Sequence, residues 1–213
     1  MRLEERMPIF VNARNILEGL EVPYLVGGGI AVGQYDHQRP TKDMDFFIPR
    51  EYAEEAIEEL HQNGFMIKRS DPEWLYQSWC GDTLVDLIFS INVSRAKLPI
   101  DQEMIARGND CEVYGEPFRV ISPEDLVIIK ILVMHENRPD WWDAITIIRK
   151  QRDRLDWRGV MRYAYVDMPR FLSFLLFAQS RHWSETLWPD WVLQEAWDAV
   201  GERIRANTLR LAA

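Results

Sequence analysis

The apolar positions change their period along the chain. From Pro8 to Leu20 they fall at Ile9, Phe10, Ala13, Ile16, Leu17 and Leu20, a helical spacing weakened at Gly19. Tyr24-Leu25-Val26 is a short apolar run that predicts a buried strand. Gly27-Gly28-Gly29 follows it and opens a helix over Ile30–Tyr35. Met44–Ile48, apolar except at Asp45, predicts a second strand. Pro49 starts a helix with Glu51, Glu54 and Glu55 at its positive end, stopped near Asn63-Gly64. Phe65–Lys68, Trp74–Trp79 and Thr83–Ile91 read as three strands, with a turn at Gly81-Asp82. Leu98–Arg107 suits a short helix. Cys111–Tyr114 and Phe118–Ile121 suit a hairpin around Gly115-Glu116-Pro117.

The character changes at Ser122-Pro123-Glu124-Asp125, a helix start with Ser as N-cap, Pro at the first position and acids in the first turn. That helix is expected to run to about His135. Others follow over Pro139–Gln151, Pro169–Arg181 and Pro189–Leu211. The expected class is α+β: a small mixed sheet flanked by helices in residues 1–121, then a helical part in 122–213.

Composition narrows the function. A chain of 213 residues with 47% hydrophobic and 28% charged residues is that of a globular protein able to bury a core without staples. Its net charge of −9 disfavours nonspecific binding to nucleic acids. A nucleotide stays allowed, because a bound cation reverses the local field. Cys80 and Cys111 lie in no C-x-x-C spacing and suit free thiols in a reducing cytoplasm. The charged first residues do not form a signal peptide, and no apolar run reaches the ~20 residues of a membrane helix. A cytoplasmic protein without a membrane partner is expected. His37, His61, His135 and His182 are scattered, which argues against zinc.

The candidate chemistry is carboxylate chemistry. Asp43 and Asp45, two apart at a strand start, point to one face. Like charges so close raise each other's pKa unless a cation intervenes. Asp86 lies within Thr83-Leu84-Val85-Asp86-Leu87-Ile88-Phe89, apolar on either side, which predicts a strand buried on both faces. A buried charge there requires a partner or a metal. Asp-x-Asp alone more often lies in a loop or cap, and Asp86 alone could pair with an arginine. Three glycines between a strand and a helix let backbone N–H groups approach a phosphate, or simply make a tight turn. No G-x-G-x-x-G or G-K-[ST] motif is present there, and no Ser/His or Cys/His pair suggests a hydrolase.

Taken in order, Tyr24-Leu25-Val26-Gly27-Gly28-Gly29, Arg39-x-Thr41-x-Asp43-x-Asp45 and Val85-Asp86-Leu87 resemble the polymerase-beta-like nucleotidyltransferase superfamily. The Arg-x-Thr-x-Asp-x-Asp form resembles its minimal bacterial members, the abortive-infection toxin and aminoglycoside nucleotidyltransferase types. Ser122-Pro123-Glu124-Asp125-Leu126, Lys130 and Asp140-x-x-Asp143 resemble the helical segment that follows the sheet in these families. The resemblance covers residues 20–150.

It implies that Asp43, Asp45 and Asp86 are catalytic metal ligands for magnesium, with manganese as the alternative. It also implies that Gly28, Gly29, Arg39, Thr41 and Lys130 hold a nucleoside triphosphate, whose monophosphate passes to an acceptor: a small molecule, an RNA end or a protein. The competing reading is a non-catalytic binding or regulatory module, as in a toxin–antitoxin pair. Locally, Arg39 could pair with the acids, Thr41 could brace the turn, Lys130 could be an exposed lysine, and Asp140 and Asp143 could be helix-N-terminal acids. Seven of nine tryptophans follow residue 140. They read first as core of the helical part, with a stacking pocket or a homo-oligomer interface as alternatives.

Overall fold

The computed structural model describes residues 3–36, 41–93, 96–134 and 140–211. The chain divides into two compact units, Met1–Ser122 and Pro123–Ala213. The first is a mixed sheet flanked by helices and the second is helical, the expected α+β arrangement.

In the first unit the elements run α1 (Leu3–Gly19), β1 (Leu25–Val26), α2 (Gly28–Tyr35), β2 (Asp43–Phe47), α3 (Ala53–Gln62), β3 (Met66–Asp71), β4 (Leu75–Cys80), β5 (Thr83–Ile88), β6 (Ser90–Val93), β7 (Ala96–Pro99), α4 (Gln102–Ala106), β8 (Asn109–Val113) and β9 (Glu116–Val120). Seven strands form one sheet in the order β3-β4-β5-β2-β1-β9-β8. The pairs β2–β5 and β1–β9 are parallel, and the other neighbours are antiparallel.

One face of this sheet is closed. Met44 and Phe46 of β2 and Val85 and Leu87 of β5 are fully buried there. Arg6 of α1 reaches Thr83 on this face, and Tyr76 of β4 donates its hydroxyl hydrogen bond to Glu54 of α3. Arg6 is itself buried. Its Nη1 donates to the carbonyls of Lys42 at 3.0 Å and Asp82 at 2.8 Å. It thereby ties the start of β2 to the β4–β5 turn.

Several expectations are revised. Thr83–Ile91 is not one strand: β5 ends at Ile88, and β6 pairs with β7 in a separate two-stranded sheet. The helix expected from Leu98 starts only at Gln102, because Lys97-Leu98-Pro99 is drawn into that pairing. Asp101 caps the shortened helix by accepting from the Met104 N–H at 2.7 Å. The hairpin turn is Tyr114-Gly115, not Gly115-Glu116-Pro117. Both turn residues have positive φ, 53° and 82°, the two-residue geometry that matches strand twist, so Pro117 falls inside edge-proximal β9. The first helix begins at Leu3 and carries Pro8 within it. Cys80 and Cys111 are free thiols. Among the described residues no helix is long and apolar enough to cross a membrane.

The second unit comprises α5 (Pro123–Leu132), α6 (Trp141–Gln151), α7 (Trp157–Ala164), α8 (Met168–Arg181) and α9 (Asp190–Leu211). Helix α5 is its axis: every residue from Asp125 to Leu132 is buried, so it is enclosed on all sides. Arg170 of α8 donates to the carbonyl of Met134 at 3.2 Å and to that of Leu132, satisfying carbonyls that end α5. The tryptophans divide. Trp157 and Trp188 are buried edge-to-face at 6.1 Å, and Trp141 packs on Phe174 and Phe177. Trp142, Trp183 and Trp197 are exposed, so the tryptophans as a group are not core.

Lys130 is not a solvent-exposed lysine. Its ammonium lies 2.7 Å from Asp140 and 3.0 Å from Asp143, with 3% of its surface exposed. Replacing Lys130 by Met withdraws this cation from two largely buried carboxylates. The expected loss is about 3–5 kcal/mol of unfolding free energy in urea titrations. The triple variant Lys130→Met/Asp140→Asn/Asp143→Asn is expected to recover most of it.

Candidate active site

The other face of the sheet is half open, and the carboxylates line it. Parallel pairing sets Asp43 beside Leu84 and Asp45 directly beside Asp86. Alternation then places Asp43, Asp45 and Asp86 on one face, all three half-buried. The expectation that β5 is buried on both sides is therefore corrected. Its Val85/Leu87 face is closed, while Leu84 and Asp86 are partly accessible.

Each carboxylate has its own support. Thr41 Oγ1 donates to Asp43 Oδ1 at 2.7 Å. Gln77 of β4, the cross-strand neighbour of Asp86, donates its amide to Asp86 Oδ1 at 3.0 Å. Asp45 lies against Gly28, where a Cβ would come within 1.6 Å of Oδ2. Gly28 also has φ of +55°, a conformation that L side chains rarely adopt. Gly27 is held from below: its N–H donates to the Asp45 carbonyl at 2.9 Å, and the Phe47 ring fills the space a side chain would need. The two glycines thus let the start of α2 sit directly on the aspartate strand. The first turn of a helix carries backbone N–H groups with no intrahelical acceptor, oriented to favour an anion. Gly29, the second residue of α2, lines a small cavity with Thr41, Gly33, Gln34 and Val113.

Burial pushes the Asp86 carboxyl up to about 6. The Gln77 hydrogen bond opposes this shift and the Asp43 charge adds to it. Among the described residues no cation pairs with Asp43 or Asp86. Nor do any three His, Cys, Asp or Glu side chains among them converge closely enough to form a metal-ligand group. The carboxylates instead lean on Thr41, Gly28 and Gln77. Even so, the donor set is all oxygen, shares one face, and holds Asp86 half-buried with no cation among the described residues paired to it. That chemistry fits a hard divalent cation, which uses few protein carboxylates and takes its remaining oxygens from water and phosphate.

The structure therefore gathers Gly28, Gly29, Thr41, Asp43, Asp45 and Asp86 in the first unit. Lys130 belongs to the helical unit and is engaged there by Asp140 and Asp143. Arg39, His37 and His135 lie outside the described residues. Gln77 and Arg6 were not singled out by sequence reasoning. Gln77 could have been found as a polar residue on the Asp86 side of an alternating strand, once register was known. Arg6 gave no such signal.

Two outcomes follow from this geometry. Gly28→Ala is expected to displace the Asp45 carboxylate and to cost about 1–3 kcal/mol, read as a lower denaturation midpoint. Because the Asp86 pKa is raised on folding, ionising it opposes folding. That penalty is absent below the unfolded value near 4, grows as pH rises toward about 6, and is complete above it. In metal-free buffer Asp86→Asn should raise Tm at pH 8 and leave it little changed at pH 3.5; an equal shift at both would refute the assignment.

Comparison with known proteins bears on the whole assembly. Residues 9–167 match the family described as nucleotidyl transferase of unknown function (DUF2204). No match is found among curated proteins. Among solved structures, the antibiotic-resistance factor ANT(2'')-Ia is 18% identical with a TM-score of 0.56, covering 84% of this chain and 98% of its own. An antigenic nucleotidyltransferase-like protein from Paracoccidioides brasiliensis is 18% identical with a TM-score of 0.48, over 82% and 94% of the two chains. The lincosamide antibiotic adenylyltransferase LnuA is 15% identical with a TM-score of 0.48, over 69% and 98%. At these identities the likeness to ANT(2'')-Ia is one of fold. The match to the family model spans most of the chain, and the protein belongs to the DUF2204 nucleotidyl transferase family.

Proposed function

We propose that this protein is a divalent-metal-dependent nucleotidyltransferase that passes a nucleoside monophosphate from a nucleoside triphosphate to an acceptor. The observation that supports it most is the contact of Gly28 with Asp45. It sets an anion-favouring helix start beside a carboxylate face, so phosphates and carboxylates would share one space. Such a pairing of like charges calls for a cation between them.

Asp43, Asp45 and Asp86 would hold magnesium or manganese. When bound, the metal would neutralise phosphate charge and orient the acceptor oxygen for in-line displacement at the α-phosphorus. Backbone N–H groups at Gly28 and Gly29 would hold phosphate oxygens. Thr41 would orient the Asp43 carboxylate, and Gln77 would do the same for Asp86. Asp86, with its raised pKa, would accept the acceptor hydroxyl's proton as the new P–O bond forms and pyrophosphate leaves. ANT(2'')-Ia has been observed in complex with adenylyl-2''-tobramycin. The net charge of −9 favours a small-molecule or protein acceptor over a long nucleic acid.

The test measures thermal shifts with magnesium and each nucleoside triphosphate, then label transfer into a cell extract. A shift that needs both ligands, lost in Asp43→Ala and Asp45→Ala, is expected. Asp86→Ala is expected to cut label transfer by at least about 100-fold. Binding without transfer under every triphosphate would leave a non-catalytic nucleotide-binding module; no binding at all would end the nucleotide reading.

A further inference from the structure

Helix α9 buries Val192 and Ala196 completely, yet it leaves Trp197 and Ile204 each 60% exposed. These two residues are seven apart, two turns along one face, with the partly exposed Val200 and Gly201 between them. A tryptophan and an isoleucine so open to water on one helix face are the composition of an interface, not of a solvated surface. Trp197 also forms one wall of a cavity of about 730 Å³, with Leu176, Trp183 and Trp188 among the others. Exposed Leu176 and Trp183 extend the apolar surface onto α8 and the segment after it, among polar residues such as Glu185 and Gln194 that share the lining.

The charges on α9 are segregated. Asp190, Glu195, Asp198 and Glu202 occupy its first part, and Arg203 and Arg205 follow them. Asp198 and Arg205 are also seven apart, so they lie on the same flank of the apolar stripe. The midpoints of the two pairs lie on either side of Gly201. A Cβ at Gly201 would meet nothing nearer than the Arg205 guanidinium at 3.8 Å, so no fold contact requires glycine at this point.

We propose that α9 is a homodimer interface, in which two copies pair their α9 helices antiparallel about a two-fold axis at Gly201. A second copy is the occupant these features specify. Reversing the helix lays its acidic part on its basic part. The same operation brings Trp197 of one copy beside Ile204 of the other and Asp198 beside Arg205, each contact occurring twice as two-fold symmetry demands. Glycine at the crossing lets the two backbones approach closely. The inference is independent of the nucleotidyltransferase reading.

Sedimentation velocity on the full chain across micromolar to hundred-micromolar concentrations tests it. Wild type is expected to associate as a dimer, and Trp197→Asp to remain a monomer with an unchanged circular dichroism spectrum. Gly201→Leu, which improves helix propensity, is expected to keep or raise Tm while weakening association at least tenfold. The decisive arm is a charge swap. Asp198→Arg and Arg205→Asp each set like charges against each other in their own dimers, whereas an equimolar mixture restores both attractive pairs. Each variant alone should associate at least tenfold more weakly than the mixture. A wild-type monomer throughout, a dimer indifferent to Trp197→Asp, or a mixture no better than its components would each overturn the proposal.

Discussion

The parallel pairing of β2 with β5 is the constraint on which the site depends. It aligns Asp45 with Asp86 and sets Asp43 one step along the same face. The register cannot slip by one residue without exchanging faces, because strand side chains alternate. A slip would drive Asp86 into the space of Val85 and Leu87 and expose those residues. The fully buried Met44, Phe46, Val85 and Leu87 therefore hold the carboxylates open to solvent through their own insolubility in water. The hydrophobic pattern on one face specifies the acidic pattern on the other.

That arrangement stores unfavourable electrostatics, and the surroundings limit it only in part. Thr41 and Gln77 each supply a neutral hydrogen bond, which orients a carboxylate without cancelling its charge. Burial, with a smaller push from the Asp43 charge, raises the Asp86 carboxyl above an ordinary aspartate against the Gln77 hydrogen bond. The contrast with Lys130 is instructive. In the helical unit a buried charge is met by opposite charges within hydrogen-bonding distance. On the β2–β5 face, like charges are assembled and none of the described cations pairs with Asp43 or Asp86. The first pattern neutralises its own buried charge; the second leaves like charges side by side.

Glycine completes the site through what it lacks. Gly28 and Gly27 have no side chain to separate the start of α2 from Asp45 and Phe47. The run of three glycines thus has a structural cause at two positions, and the anion-favouring helix start follows from it. Arg6 plays the complementary part at the strand's beginning, where its guanidinium joins the carbonyls that flank β2 and β5.

The sequence by itself determined the fold class, and it supplied the residue types of the proposed carboxylate site. These are properties of local periodicity and of residue chemistry, which a linear pattern carries. It misjudged Thr83–Ile91 as one strand and placed the hairpin turn one residue late, and it left open whether Lys130 is exposed. Both strand errors concern hairpin pairing, β6 with β7 and β8 with β9, where the turn is placed by which residues pair and not by residue type alone. Gln77 escaped notice because only strand register sets it beside Asp86, and Arg6 because its carbonyl partners lie 36 and 76 residues away in the chain. Only tertiary structure decided that Asp86 faces a half-open surface, that Asp45 rests on Gly28, and that Trp197 faces water while Trp188 is buried. Those facts are set by strand register and helix packing, which bring together residues whose separation along the chain hides their contact.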